Sequence, residues 1–201
     1  MNFSSRIALM DDRTVASNPG RLSVQYLRYA AHFPFWPGCF AAGLVVTIAA
    51  AAIRPGLWWI AALTVGLNAL CWLRVRLHFR LGCVNPAKVV ASNPFTLAVL
   101  TDLTTCEDRY PVIKILHHPA PRGGSYKVGD RCVTVATYTG SAQARHWEDF
   151  FPIMADCASA DRPEIEKVRQ TISPEDWSEL ESGLKTVPLP LKQGIYPLAP
   201  T

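Results

Sequence analysis

Residues 36–73 read WPGCFAAGLVVTIAAAAI (36–53), RPG (54–56) and LWWIAALTVGLNALCWL (57–73), two uncharged runs of eighteen and seventeen residues joined by three. At its helical rise the first run reaches ~27 Å, close to the hydrocarbon thickness of a bilayer, and the second is at the short limit for spanning. Together they read as an antiparallel transmembrane hairpin. A buried helical pair in a soluble protein is the competing reading, but its helices would carry a polar stripe toward water, and neither run has one. Gly43, Thr47 and Ala51 recur at every fourth position, and Ala62 and Gly66 repeat that spacing. The spacing predicts small-residue faces along which the two helices approach closely. Asn68 is expected to hydrogen-bond across to the partner helix rather than to mark a conduction path. The first run begins well inside the chain and a second follows at once, so it reads as a retained span rather than a cleaved signal.

The 201-residue chain is 49% apolar and 18% charged, which excludes an acidic disordered tail, a collagen-like repeat and a disulfide-dense mini-protein. Its charge is unevenly divided. Residues 1–80 hold eight Arg, no Lys and two acids, a net +6, whereas residues 81–201 carry a net −2. Arg21 and Arg28 precede the hairpin and Arg74, Arg76, Arg80 and Lys88 follow it, while the turn has only Arg54. Lys and Arg accumulate on the cytoplasmic side of spans, so these arginines set both termini in the cytoplasm. Tyr26, Tyr29, Phe35, Trp36, Trp58, Trp59 and Trp72 lie where interfacial aromatics are expected.

Residues 1–20 show no sustained period and end in Asn-Pro-Gly, which reads as a frayed tail closing in a turn. From Arg21 to Phe33, Leu22, Tyr26, Tyr29 and Phe33 share one helical face, suiting a short interfacial helix with Arg28 and His32 near lipid phosphates. The tail and interfacial helix (1–33), the hairpin (34–80) and a cytoplasmic β-rich domain (81–201) are the three parts expected.

In the last part, Ala87–Ala91, Thr96–Leu103, Val112–His117 and Arg131–Thr139 carry strand signals separated by Pro, Gly and Asn/Asp turn chemistry. Closely spaced strands without intervening helices predict an antiparallel sheet or small barrel. Cys132, Thr134, Ala136 and Tyr138 alternate with Val133, Val135 and Thr137, which predicts one core face and one solvated face. Two C-terminal helices follow. Asp161 opens a run with Ile165, Val168 and Ile172, and Ser173, Pro174 and Asp176 open another with Trp177, Leu180 and Leu184, ending near Gly183–Thr186. The closing LKQGIYPL (191–198) is expected to return extended along the sheet with Ile195 and Tyr196 buried. The fold class is therefore α+β: a transmembrane helical hairpin, then a small antiparallel, barrel-like β domain with two C-terminal helices.

Known reaction chemistries find no motif. Cys39, Cys71, Cys83, Cys106, Cys132 and Cys157 include no C-x-x-C, and in a cytoplasmic setting they predict neither disulfides nor a zinc site. His117 and His118 are adjacent, so on a strand they point to opposite faces and do not share a metal. There is no G-x-S-x-G elbow, and Gly123-Gly124 lacks the Gly-Lys-Ser/Thr end of a phosphate loop, which leaves it as a hairpin tip. The net negative charge of the domain and its aliphatic strands disfavour nucleic acid.

NPAKVV (85–90), LAVLTDLT (97–104), the Val128-Gly129-Asp130 turn leading into VTVATYTG (133–140), and Trp147, Asp149, Phe150 and Pro152 in HWEDFFP (146–152) carry a resemblance. The layout over about residues 34–197 resembles an uncharacterised bacterial family of two-span membrane proteins with a C-terminal domain of unknown function. That resemblance implies no activity. In architecture alone the chain is also similar to membrane-anchored OB-fold proteins with a five-stranded barrel after a helical hairpin. The expectation is a non-enzymatic protein of the bacterial inner membrane, without cofactor or metal. It would sit in the lipid bilayer and present its cytoplasmic domain to a protein partner or to further copies of itself. Asp102, Arg122, Tyr126 and Trp147 are the candidate contact residues. The rival is a membrane-tethered enzyme or small-ligand sensor, with a pocket between the β domain and the C-terminal helices that uses His117, His118 or Asp102.

Overall fold

The structure is a computed structural model that describes residues 16–105, 109–123, 126–141 and 144–198. The expected N-terminal tail lies mostly outside the described residues, as do Cys106 and Gly124. Helix α1 (Tyr26–His32) leads into α2 (Phe35–Ile53), and a 3-10 turn at Pro55–Leu57 reverses the chain into α3 (Trp58–Leu81). Pro55 suits the reversal, since a ring-locked residue without an N–H is tolerated where a helical turn begins. The two long helices pack antiparallel along a seam that includes Gly43, Thr47 and Ala51, the small face expected of α2. On α3 the expected face is displaced. Ala62 and Gly66 are exposed, and Ile60, Ala61, Thr64 and Asn68 lie on the less exposed line instead. The spacing was legible but not its phase, because the conformation of the turn sets the rotation at which α3 starts. Asn68 sits on that line without the expected hydrogen bond to α2.

Beyond the hairpin are β1 (Cys83–Ser92), β2 (Phe95–Asp102), β3 (Pro111–His117), β4 (Arg131–Thr139), β5 (Asp149–Met154), α4 (Ala155–Ala158), α5 (Arg162–Arg169), α6 (Pro174–Leu184) and β6 (Gly194–Pro197). The strands form one antiparallel sheet in the order β5-β4-β1-β2-β3-β6. Pro86 is tolerated within β1 because the backbone register with β2 begins only at Ala87. The α5 and α6 starts are those expected: Asp161 accepts from the Glu164 N–H, and Ser173 and Asp176 cap one another's backbone.

The sheet curls into a half-barrel. Its concave face gathers Val89, Leu97, Val99, Leu103, Phe150 and Met154, and its convex face packs Leu100, Ile113, Ile115 and Val135 under Phe79, Ile165, Val168, Trp177 and Leu180. The Lys114 ammonium on β3 reaches across the open side to Asp149 (2.5 Å) and to the Phe150 carbonyl (2.6 Å) on β5. Two expectations change here. β4 is buried on both faces rather than half solvated, because curling encloses one side while helices cover the other. β5 lies outside the four segments expected as strands; it carries Pro152 as an edge strand, where a proline costs little. LKQGIYPL does return as β6 on β3, but Ile195 and Tyr196 are half-buried, as suits a four-residue edge strand.

Candidate functional site

The hairpin and the domain meet without a linker. α3 runs past its apolar run, and its last turn enters the convex core: Phe79 is fully buried, His78 Nε2 donates to the Val135 carbonyl (2.9 Å), and Nδ1 accepts from the Thr137 hydroxyl (3.2 Å). A helix end leaves four carbonyls unsatisfied. Here the extended segment before α1 supplies donors to that end: Arg21 N–H to the Arg80 carbonyl (3.1 Å) and Leu22 N–H to that of Phe79 (3.2 Å), while Gly20 N–H reaches the Gly82 carbonyl (2.9 Å). Gly82 has no room for a side chain, because a Cβ there would lie 2.3 Å from the His78 carbonyl oxygen and 2.8 Å from that of Ala136.

Helix α1 completes the joint; the helix expected from Arg21 begins only at Tyr26, and it packs against α4 with Leu27 left exposed. Gln25 N–H donates to the Ala158 carbonyl, and Arg28 donates to the backbone carbonyls of Asp156 (2.6 Å) and Arg122 (3.2 Å). His32 is buried, and its Nε2 accepts the Arg122 N–H (2.8 Å). Behind it, the buried Asp156 carboxylate receives the Tyr126 hydroxyl (2.7 Å) and the Arg162 guanidinium (2.6 Å). Burial first, and then this bond to Asp156, raise the Tyr126 hydroxyl far above the ordinary phenol range. Next to this cluster, His118 Nε2 accepts the Met154 N–H (3.2 Å), and burial pushes its ring down to about 4.

At the end of the sheet away from His118, and beside Leu81 and Gly82 at the end of α3, a cleft of about 440 Å³ opens between the beginning of β1, the end of β2 and α6. Asp102, Arg109, Trp147, Asp176 and Glu179 line its mouth, with Asn85, Thr101 and Tyr138 at its base. The base is internally satisfied: the Thr101 hydroxyl donates to Asn85 Oδ1 (3.0 Å) and lies 2.6 Å from the Tyr138 hydroxyl. Asp102 accepts from the backbone of Thr104 and Tyr110 (both 3.0 Å) and pairs with Arg109 (3.4 Å), which also binds Glu179 (3.0 Å). Burial raises the Asp102 carboxyl, but these bonds together outweigh it and hold the group below the ordinary carboxylate range.

The four contact candidates thus fall into two places. Asp102 and Trp147 share the cleft; Arg122 and Tyr126 belong to the joint, where Arg122 keeps an exposed side chain and the Tyr126 hydroxyl is committed to Asp156. Asp102 and His117 sit at opposite ends of β2 and β3, six residue steps or ~20 Å apart, so the trio named for a ligand pocket does not converge. The His117 ring bonds the Thr96 hydroxyl and the His118 ring the Met154 N–H, and among the described residues no three His, Cys, Asp or Glu side chains gather at one point. Asp156 was missed; a single acid inside the apolar run IMADCASA (153–160) was the available signal that a buried partner had to exist.

A family model described as "Protein of unknown function (DUF3239)" matches residues 74–187, more than half of the chain. The chain belongs to this family. The match takes in the end of α3, β1–β5 and α4–α6, and stops short of the apolar runs and of β6, a narrower extent than the resemblance over residues 34–197. Among solved structures, the crystal structure of "a putative membrane protein from Corynebacterium diphtheriae" is similar, with 22% identity and a TM-score of 0.49 over 57% of this chain and 99% of that one. No curated protein matches.

Proposed function

We propose that this DUF3239 member is an inner-membrane protein of two spans with both termini in the cytoplasm, holding its β domain at the membrane surface for contact with another protein. One observation carries the reading. α2 and α3 are long and apolar enough to cross a bilayer, yet Val45, Val46, Ile53, Leu63, Val65 and Leu67 on them point away from the protein. In water that would be an exposed apolar surface far larger than monomers tolerate, whereas lipid removes the cost. The flanking arginines support the orientation. The continuous joint supports a domain held in a fixed pose rather than on a tether, so that a partner in the same membrane meets an oriented surface at raised effective concentration. The cleft mouth with Asp102 and Trp147 is the surface proposed for that contact.

Fractionation with and without detergent, together with a compartment-sensitive reporter fused after Thr201, tests the topology. Recovery of the chain from the supernatant without detergent, or an external reporter, overturns it. A photo-crosslinking residue at position 147 tests the contact: a single reproducible adduct in membranes, lost in Asp102→Arg, is expected, and no adduct at all refutes it. A second reading, small-ligand binding in the same cleft, rests on its position between the sheet and α6. It is favoured if soluble metabolites protect position 147 from the crosslink.

A further inference from the structure

The joint brings together arginines that are far apart in the chain. Arg76 and Arg80 lie one turn apart on α3 and are exposed. Arg21 is laid beside Arg80 by its backbone bond to the Arg80 carbonyl (3.1 Å). Arg122 is fixed by its N–H to His32, two residues before Pro34 and the start of α2, and its side chain is exposed. All four therefore stand where the two spans enter and leave the domain. Among the described residues none of the four has an ion-pair partner, although six other cations of the domain do: Lys88, Arg109, Lys114, Arg131, Arg162 and Arg169. The nearby acids are already engaged. Glu164 accepts from Ser23 N–H and the Ser159 hydroxyl, and Asp156 from Tyr126 and Arg162.

The depth is that of phosphate groups. If Leu73 ends the hydrocarbon segment, Arg76 and Arg80 stand ~4.5 and ~10.5 Å beyond it along the helix. A headgroup layer is roughly 5–8 Å thick on each side, and arginine stems bend back toward it. Guanidinium groups bind phosphate oxygens in pairs and are less strongly hydrated than ammonium, so they suit an interface of phosphodiesters.

We propose that Arg21, Arg76, Arg80 and Arg122 form a binding surface for anionic phospholipid headgroups, which orients the domain against the membrane. This rests on the two-span reading above. It goes beyond the charge bias that sets topology, since Arg21 and Arg122 reach the joint only through folding. The remainder of residues 81–201 without Arg122, eleven Lys and Arg against fourteen acids and so net −3, does not supply the attraction in their place.

The full chain is reconstituted into nanodiscs of phosphatidylcholine with either brominated phosphatidylglycerol or brominated phosphatidylcholine, and quenching of tryptophan fluorescence gives the relative association of the two lipids. Each arginine in contact with an anionic headgroup is expected to contribute about five-fold at low salt. The wild type should prefer phosphatidylglycerol, and the preference should weaken with added salt. Arg21→Gln, Arg76→Gln, Arg80→Gln and Arg122→Gln combined should bring it close to equality, with the domain still folded by circular dichroism. A wild type that enters nanodiscs without lipid preference, a combined variant that keeps the preference, or loss of the preference to inorganic phosphate but not to sodium chloride of equal ionic strength overturns the lipid surface. A chain that remains soluble without detergent and enters no nanodisc overturns the two-span reading instead.

Discussion

Gly82→Ala tests whether α3 and the β domain are one packed body. The backbone of Gly82 is ordinary for any residue (φ −63°, ψ 155°), so the substitution adds no conformational strain and acts only through volume. The added Cβ would stand 2.3 Å from the His78 oxygen, 2.8 Å from the Ala136 oxygen and 2.9 Å from a Val135 methyl. Two of these are backbone atoms of α3 and β4 and cannot rotate aside. Relief requires turning Gly82 out of the last turn of α3, where its own N–H bonds the His78 carbonyl (2.9 Å), and moving that helix end from the strand by ~1 Å, given an optimal contact of 3.5–4.0 Å that tolerates some compression. That movement stretches the His78 bond to Val135 and loosens Phe79 in the convex core. Overpacking costs about 1–3 kcal/mol and a weakened hydrogen bond about 1 more, so the expected destabilisation is about 2–4 kcal/mol. It is read by urea unfolding of the full chain in detergent, followed by tryptophan fluorescence, with limited proteolysis to show a joint that opens first. Gly66→Ala, with nothing within 4 Å, is the control and should be neutral or stabilising by under about 1 kcal/mol. Gly82→Ala as stable and protease-resistant as the wild type would refute the direct packing of α3 on β4.

Other outcomes follow from the buried polar groups and caps. Asp156→Ala removes the acceptor of Tyr126 and Arg162 and should destabilise the domain by about 2–4 kcal/mol in the same assay, whereas Tyr126→Phe, which leaves Arg162 paired, should cost under half as much. His118 is held neutral at a folded value of about 4 against an unfolded 6.5, so the unfolded chain binds more protons between those values. Its contribution is therefore fully present above pH 6.5 and is lost as pH falls to about 4, a decline of about 3 kcal/mol that His118→Gln should subtract from a pH series of unfolding midpoints. Ser173→Ala deletes one half of the α6 capping box and should cost about 1 kcal/mol, with Ser173→Asn nearly neutral.

The cleft and the joint were legible to different degrees. Asp102 and Trp147 were singled out as contact candidates and share one cleft; nothing in their spacing joined them, because the link is made by the bridge between Thr104 and His146, which closes long after either loop is read. His32 read as a lone interfacial residue, since the donor it accepts lies ninety positions away. The phase of α3 against α2 was lost for a related reason: a repeat every fourth residue has the same spacing whichever side it faces.

The hydropathy runs, the arginine asymmetry, the strand alternation and the caps of α5 and α6 are local signals, and each names an element from residues within a turn or a strand of one another. They established two apolar helices followed by an antiparallel β domain and a helical C-terminal part. Which of those elements touch was decided by tertiary structure alone. The curl of the sheet buries both faces of β4, the segment at Gly20–Leu22 caps the end of α3, and α1 packs against α4. Those outcomes depend on carbonyls and carboxylates needing donors that the neighbouring sequence does not contain.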